Sequence, residues 1–407
     1  MVPEGWVVRP LQEIATVERG RFSARPRNDP RFYGGSIPFV QTGDVARANG
    51  CIQAYSQTLN DEGLAVSRVF PKGSILLTIA ANIGHVATSS FDFACPDSVV
   101  VIRPKAGVSM IWLKHALLQK QDELNKLAGQ NAQKNINLEM IRPLALATPR
   151  LAEQVAIAEI LDTYDLAIGT CARLIDAKEI ARRGLLENVL TGKRRFSEFA
   201  HSSAVQHTRF GPRPKEWPVR KIGDFSQEIS ERNGSHGTWP VLSCTKHQGL
   251  VDSLTYFGKR IHSEDTSNYK VVRRGQFAYA TNHIEEGSIG LLSDREAGLV
   301  SPMYTVFGCD KSVDPQFLFF LFKTDLYRHI FESTTNASVN RRGSLRWTQF
   351  SQLPVATPSI GEQKKIALCI GECDNELALL HRQLHLIKLQ KRGLMQKLLT
   401  GQVRVKV

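Results

Sequence analysis

Between Arg19 and Tyr33 the chain reads RGRFSARPRNDPRFY, in which five arginines (Arg19, Arg21, Arg25, Arg27 and Arg31) fall among Phe22, Phe32 and Tyr33. A guanidinium fork matches both a phosphate and the O6/N7 edge of guanine, and a loop broken by Pro and Asn can reach into a groove. The plain alternative is a solvated basic loop. Three smaller sets carry similar chemistry. Gln41-Thr42-Gly43-Asp44, with Arg47 beyond, follows the stretch Pro38-Phe39-Val40; its counterpart Ser243 to Gln248 carries Lys246 and His247 but lacks the Gly-Asp pair. Asp44 reads as a turn-former rather than a base reader. In AANIGH (Ala80–His85) and TNHIEEGS (Thr281–Ser288), Asn82 and Asn282 could be bidentate to adenine, and His85 and His283 could donate to a base or phosphate. Gln133-Lys134-Asn135 and Asn340-Arg341-Arg342 bring Lys134, Asn135, Arg341 and Arg342 to similar places, where cations would set register on a phosphate backbone.

Bond-making chemistry is not in view. No G-x-x-x-x-G-K-[ST] phosphate cradle occurs, and no nucleophilic Ser or Cys has plausible partners. The seven cysteines form no CxxC pair; Cys369 and Cys373 lie one helical turn apart, which favours packing over metal ligation. The expectation is therefore no catalytic and no metal site. Charge points to a polyanion: 52 Lys+Arg stand against 39 Asp+Glu, a net +13. Residues 1–150 hold 17 basic and 12 acidic groups, 151–200 hold 7 and 8, 201–358 hold 19 and 15, and 359–407 hold 9 and 4. The excess is thus spread over everything except the middle segment. The opening MVPEGWVVRPL has neither part of a signal peptide, and no apolar run approaches the roughly 20 residues of a membrane span, so the expectation is a cytoplasmic, reduced protein.

What must position these groups is a duplication. RGLLENVLTG (Arg183–Gly192) returns as RGLMQKLLTG (Arg392–Gly401), and at that offset 14 of the 45 positions from Thr148 to Gly192 are identical in Thr357 to Gly401 without a gap. Upstream the match weakens but keeps its order: Trp6-x-Val8-Arg9 with Trp217-x-Val219-Arg220, Pro38 with Pro240, Lys72-Gly73 with Arg274-Gly275, and Asn131-Ala132 with Asn336-Ala337. Each half is a variable region followed by a well-preserved helix that opens at TPxxxEQ and stops at glycine. Steps of four and three place Ile157, Leu161, Tyr164, Ile168, Cys171 and Ile175 on one seam, after which Lys178 and Arg182 interrupt it. Ile366, Ile370, Cys373, Leu377, Leu380, Leu384 and Ile387 form the other seam. About 40 residues at about 1.5 Å each span about 60 Å. Pairing of the two helices, antiparallel by pseudo-two-fold symmetry, is expected; packing of each on its own domain is the alternative. The variable regions read as mixed α/β. Strands are expected at 36–40, 74–78, 98–102, 239–242, 276–279 and 303–306, helices at Met110–Ala128 and Pro315–Phe331, and a linker at Ala200–Pro218.

WxxxxLxEI, PFVQTGDV, PKGSILLTIAANIGHVA, NAQKNIN, TPxxxEQ and RGLxxxLLTG, in this order and mostly echoed in the second half, resemble the specificity (S) subunit of a type I restriction-modification system. The resemblance covers essentially the whole chain. It implies an α+β fold with two target-recognition domains (1–149 and 201–358) and two helical spacer and docking regions (150–200 and 359–407), the long helices forming an antiparallel coiled coil. It also implies that each domain reads one half of an asymmetric double-stranded DNA target. Two modification (methyltransferase) subunits and the restriction (translocase-nuclease) subunits would be the partners. S-adenosylmethionine and ATP would sit on those subunits and no cofactor on this chain. In keeping with a non-catalytic role, no N-P-P-[YF] or D-P-P-[YF] motif of adenine methylation occurs, Asp29-Pro30-Arg31-Phe32 lacking the second proline. The competing reading is a coiled-coil scaffold with two protein-binding domains and no DNA.

Overall fold

A computed structural model describes residues 2–48, 50–129, 135–208, 211–234, 239–246, 248–336 and 344–407. It has two compact units, 1–176 with 379–407 and 177–378. The two long helices, Leu151–Thr191 and Ile360–Leu399, each contribute to both units, so every unit holds a variable region, the start of its own helix and the end of the other.

In the first unit a five-stranded sheet has the order Ala15–Arg19, Val99–Pro104, Ile75–Thr78, Val86–Ser89, Cys51–Ile52. A four-stranded sheet carries Gln57–Leu59, Tyr33–Phe39, Phe93–Ala94 and Val69–Phe70, and Val7–Pro10 pairs antiparallel with Ala145–Thr148. The expected helix Met110–Ala128 is two helices, Met110–Gln119 and Gln121–Ala128, which meet at Lys120. Trp112, Leu113 and Leu117 bury against Ile157 and Leu161 of the central helix and against Leu398 and Leu399 of the C-terminal one.

The second unit repeats the plan with different residues. Its main sheet runs Ser226–Ile229, Tyr304–Cys309, Phe277–Ala280, Ile289–Leu291, and Val219–Lys221 pairs with Pro354–Ala356. Here the core is aromatic: Phe277 stacks on Phe307 at 4.8 Å, and Phe317, Phe322, Phe331 and Phe350 are buried around them. Pro315–Phe331 is likewise divided, into Pro315–Phe322 and Asp325–Asn336. Two further expectations are corrected. The strand placed at 239–242 begins only at Leu242, because Val241 makes just an isolated bridge to Leu299. The segment 200–218 is not a plain linker: Val205–Thr208 pairs with Gly211–Pro214, the Pro residues taking positions that need no main-chain donor.

Both expected helix contacts occur together. Ile157, Leu161, Ile366 and Ile370 are buried on their own domain's core, while further along Ile168, Cys171 and Ile175 are buried and Cys373, Leu377, Leu380 and Leu384 are half-buried. Within the first unit Asp165 pairs with Lys391 and Cys171 lies against the Leu380 carbonyl, so the helices are antiparallel there. Within the second, Lys178 pairs with Glu376 (2.7 Å) and Arg182 with Asp374 (Nη2–Oδ2 3.0 Å). The two residues that interrupt the apolar stripe therefore have acidic partners on the opposing helix. Asp165 and Asp374 are equivalent positions of the duplication, as are Lys391 and Arg182.

The repeated TPxxxEQ and LTG segments also find a cause. Glu153 receives the Trp6 indole N–H (3.0 Å) and two bonds from Arg404 (2.7 and 2.9 Å); Glu362 receives Trp217 (3.1 Å) and Arg195 (2.8 and 2.9 Å). Gln154 accepts from the Ser109 N–H and Gln363 from the Asp314 N–H, both at 2.9 Å, and those residues cap Met110–Gln119 and Pro315–Phe322. Gly192 and Gly401 take φ of 72° and 73°, and a Cβ there would lie 2.5 Å from Pro214 and 2.3 Å from Pro3. Glycine is required on both counts, and it turns the chain so that Arg195 and Arg404, three residues on, reach their carboxylates.

Candidate nucleic-acid interface

In the first unit, antiparallel pairing sets where the candidate loops emerge. Arg19 pairs with Val100, Thr78 with Val99 and Val86 with Leu77, so the arginine loop and Ala80–His85 leave the same end of the five-stranded sheet. The turn at Asp97-Ser98 joins them. Arg19 donates to the Asp97 carbonyl, Arg27 pairs with the Asp97 carboxylate (2.8 Å), and Ser98 accepts from Ile79 (3.0 Å). The segment before the central helix closes the group, since Asn135 bridges Ala80 and Ile136 N–H bonds to the Ile79 carbonyl (3.0 Å).

Within the arginine loop the aromatics do not stack outward. Phe22 and Phe32 are buried with Phe39, Leu59 and Ala94, with Phe22–Phe39 centroids 5.0 Å apart, so they anchor the loop. Arg21, Arg25, Arg27 and Arg31 are exposed; Arg25 donates to the Ala24 carbonyl (2.7 Å) and Arg31 pairs with Asp29 (3.2 Å). Asn82 is exposed, His85 is half-buried, and Ala81 adopts φ of 60°, a left-handed conformation that costs a non-glycine residue about 1–2 kcal/mol. Gln41 is not in a free turn. It is the N-cap of helix Thr42–Arg47, its side chain bonded to Gln57, and Arg47 pairs with Asp44. Asp44 itself is buried, accepting from the Gln41 N–H (2.9 Å) and the Ser56 hydroxyl (3.2 Å). His85 also lines a groove of about 1020 Å³ with Lys388, Lys391 and Arg392 of the C-terminal helix and with Asp122 and Asp165, a grouping that sequence spacing did not connect to His85.

In the second unit Thr281–Ser288 occupies the equivalent place, between Phe277–Ala280 and Ile289–Leu291, and its Thr281 carbonyl accepts from Leu345 (2.9 Å), which precedes the short helix Trp347–Phe350 on the way to the C-terminal helix. Asn282 is half-buried and accepts from the Thr281 hydroxyl (3.3 Å); exposed His283 faces Glu286 (3.3 Å). Lys246 is exposed on the turn between Leu242–Thr245 and Gly249–Asp252. The counterpart of the arginine loop is neutralised locally, Glu231 with Arg273 (2.6 Å), and Arg232 bonds Asn268 (3.0 Å). Lys134, His247, Arg341 and Arg342 lie outside the described residues.

Among the described residues two side-chain groups could gather round one ion, His115–Asp162–Asp165 and His283–Glu285–Glu286. In the first, the Lys114 and Lys391 ammonium groups already face Asp165, and burial holds the His115 imidazole down at about 2, so the charge there is compensated by protein. Among the described residues no helix is long and apolar enough to cross a membrane.

Residues 3–177 match the type I restriction modification DNA specificity domain. The MjaVIII type I restriction enzyme specificity subunit of Methanocaldococcus jannaschii is 22% identical over 420 residues, covering 100% of this chain and 94% of that protein. The fold resembles the S subunit of a type I restriction-modification system from M. genitalium (TM-score 0.60, 15% identity, 98% of this chain and 96% of that one). It also resembles a chain from a type I system solved for its complex assembly and conformational transition (TM-score 0.55, 14% identity, 99% and 100%). The chain thus carries a match to the specificity domain over residues 3–177, is similar along its whole length to a type I specificity subunit, and shares the fold of the solved S subunit.

Proposed function

We propose that each unit reads one half of a bipartite, asymmetric DNA target, and that the long helices (150–200 and 359–407) scaffold two modification subunits and the restriction subunits. The chain itself is non-catalytic in this reading; methyl transfer and cleavage, with S-adenosylmethionine and ATP, belong to the partners. The observation that carries it is a shared arrangement in unequal sequence. In both units the loop after the equivalent central strand (80–85 and 281–288) is tied by main-chain hydrogen bonds to the segment leading into the long helix. The residues on these loops differ: five arginines stand beside the first, against Arg232 and Arg273 near the second. Two readers on one plan with different side chains suit an asymmetric site.

Binding of the assembled methyltransferase complex to its target duplex, titrated with salt, tests this. Contact with about six phosphates would give a slope of log K on log salt near −5. A slope near zero would leave the protein-only scaffold, and equal affinity for scrambled duplexes would remove sequence reading.

A further inference from the structure

The second half lacks the Gly-Asp pair of the first, and the structure holds something in its place. In the first unit, buried Asp44 fixes the turn after Tyr33–Phe39 by accepting from the Gln41 N–H, Ser56 and Arg47. In the second unit the corresponding turn, Thr245–Gly249, has no carboxylate. Instead Lys323, at the break between Pro315–Phe322 and Asp325–Asn336, sends its ammonium to the carbonyls of Thr245 (3.2 Å), Lys246 (3.0 Å) and Gly287 (2.8 Å).

An ammonium has three protons and no acceptor, so three carbonyls satisfy it fully. Thr245 and Lys246 belong to the hairpin turn; Gly287 closes the loop that carries Asn282 and His283. A single side chain therefore joins two loops that are 36 to 78 residues away from it in sequence. Close packing leaves the loops little slack. Gly249 lies against Phe319, over whose ring the Lys323 ammonium sits at 5.6 Å, and a Cβ at Gly290 would meet the Leu250 nitrogen at 2.4 Å. Burial pushes the Lys323 amine below the usual lysine range, and a partly buried cation of this kind persists only where its donors are used. Lys120, at the same helix break in the first unit, turns instead to Glu123 (2.6 Å), so the two breaks differ in what their lysine holds.

We infer that Lys323 is the positioning residue of the second recognition surface, setting the distance and orientation between the Thr245–Gln248 turn and the Asn282–Gly287 loop. It does with carbonyl acceptors what Asp44 does with N–H and O–H donors in the first unit. This inference rests on the proposal that these loops read DNA.

The test uses the complete complex with Lys323→Met, which keeps the stem, and Lys323→Arg, which keeps the charge. Two readouts are taken: hydrogen exchange of peptides covering 243–250 and 281–289, and methylation of duplexes in which each target base pair is replaced in turn. With Met, exchange at both loops should rise about tenfold or more, from loss of hydrogen bonds to a charged group. Discrimination should fall about tenfold at one half-site and stay unchanged at the other, and Arg should restore part of each. Unchanged exchange at both loops would overturn Lys323 as the link. Raised exchange with discrimination lost equally at both half-sites, or at neither, would leave Lys323 structural and would count against DNA reading by these loops.

Discussion

Replacing Arg195 by Ala should loosen the junction of Trp217 with the start of the C-terminal helix, and the size of the effect follows from burial. The Glu362 side chain is 1% exposed and that of Arg195 9%, and the two are joined bidentately. Removing one partner of a buried pair costs about 3–5 kcal/mol, because the remaining charge stays desolvated. Here the lower end applies: the Trp217 indole still donates to Glu362, and the helix N-terminus still favours a carboxylate. A local cost of about 3 kcal/mol corresponds to a roughly hundredfold faster amide exchange. Exchange of peptides spanning 213–223 and 360–370 measures it, with 70–104 as the internal control. Arg195→Ala with Glu362→Gln should recover about 2 kcal/mol of the loss, since no buried charge then lacks its partner. A change below fivefold in the single variant, or a double variant as poor as the sum of its parts, would refute the reasoning.

The matching change in the first unit, Arg404→Ala, should raise exchange at peptides covering 3–12 by less than Arg195→Ala raises it at its own site, because the Arg404 side chain is 45% exposed and screened by solvent. Acid should act through the same group. Arg404, followed by Trp6, holds the Glu153 carboxyl below its usual value of 4.5, so its contribution is complete above that pH and is lost as pH falls through the lowered value. Exchange at 3–12 should therefore rise more steeply below about pH 4.5 in the native chain than in Glu153→Gln, and parallel curves would contradict this. At the arginine loop, Arg25→Ala and Arg27→Ala should weaken DNA binding by the complex. A base reader would relax choice at one target position, a phosphate contact would lower affinity uniformly and reduce the salt slope by about one, and no change in either would remove the loop from the interface. Deleting seven residues from both long helices should shorten the tolerated gap between half-sites, whereas an unchanged gap would exclude the helices as its ruler.

The scaffold was the legible part. Thr148–Gly192 and Thr357–Gly401 repeat because the same few contacts recur: a carboxylate for a tryptophan and an arginine, a glutamine for a helix cap, a glycine beside a proline. What periodicity could not supply was the partner, since Arg195 lies 167 residues from Glu362 and Arg404 lies 251 from Glu153. The signal was present, as both arginines stand three residues after the repeated glycine and both tryptophans open a repeated WxVR. Lys178 and Arg182 looked like faults in a stripe because their acids are on the other helix. At the candidate interface residue type alone did not tell anchor from contact: Phe22 and Phe32 are core, and Gln41 is a helix cap. Lys323 gave no local hint, because its three acceptors are main-chain atoms of distant loops.

The most direct measurement is single-molecule sequencing of methylated adenines in cells that carry this chain with the modification subunits proposed as its partners, and in the same cells without it. The account predicts one two-part motif, with an unread gap between unequal halves, whose methylation disappears when the chain is removed and whose one half alone degrades with Lys323→Met. A motif that survives removal of the chain, or one with no gap, would contradict it.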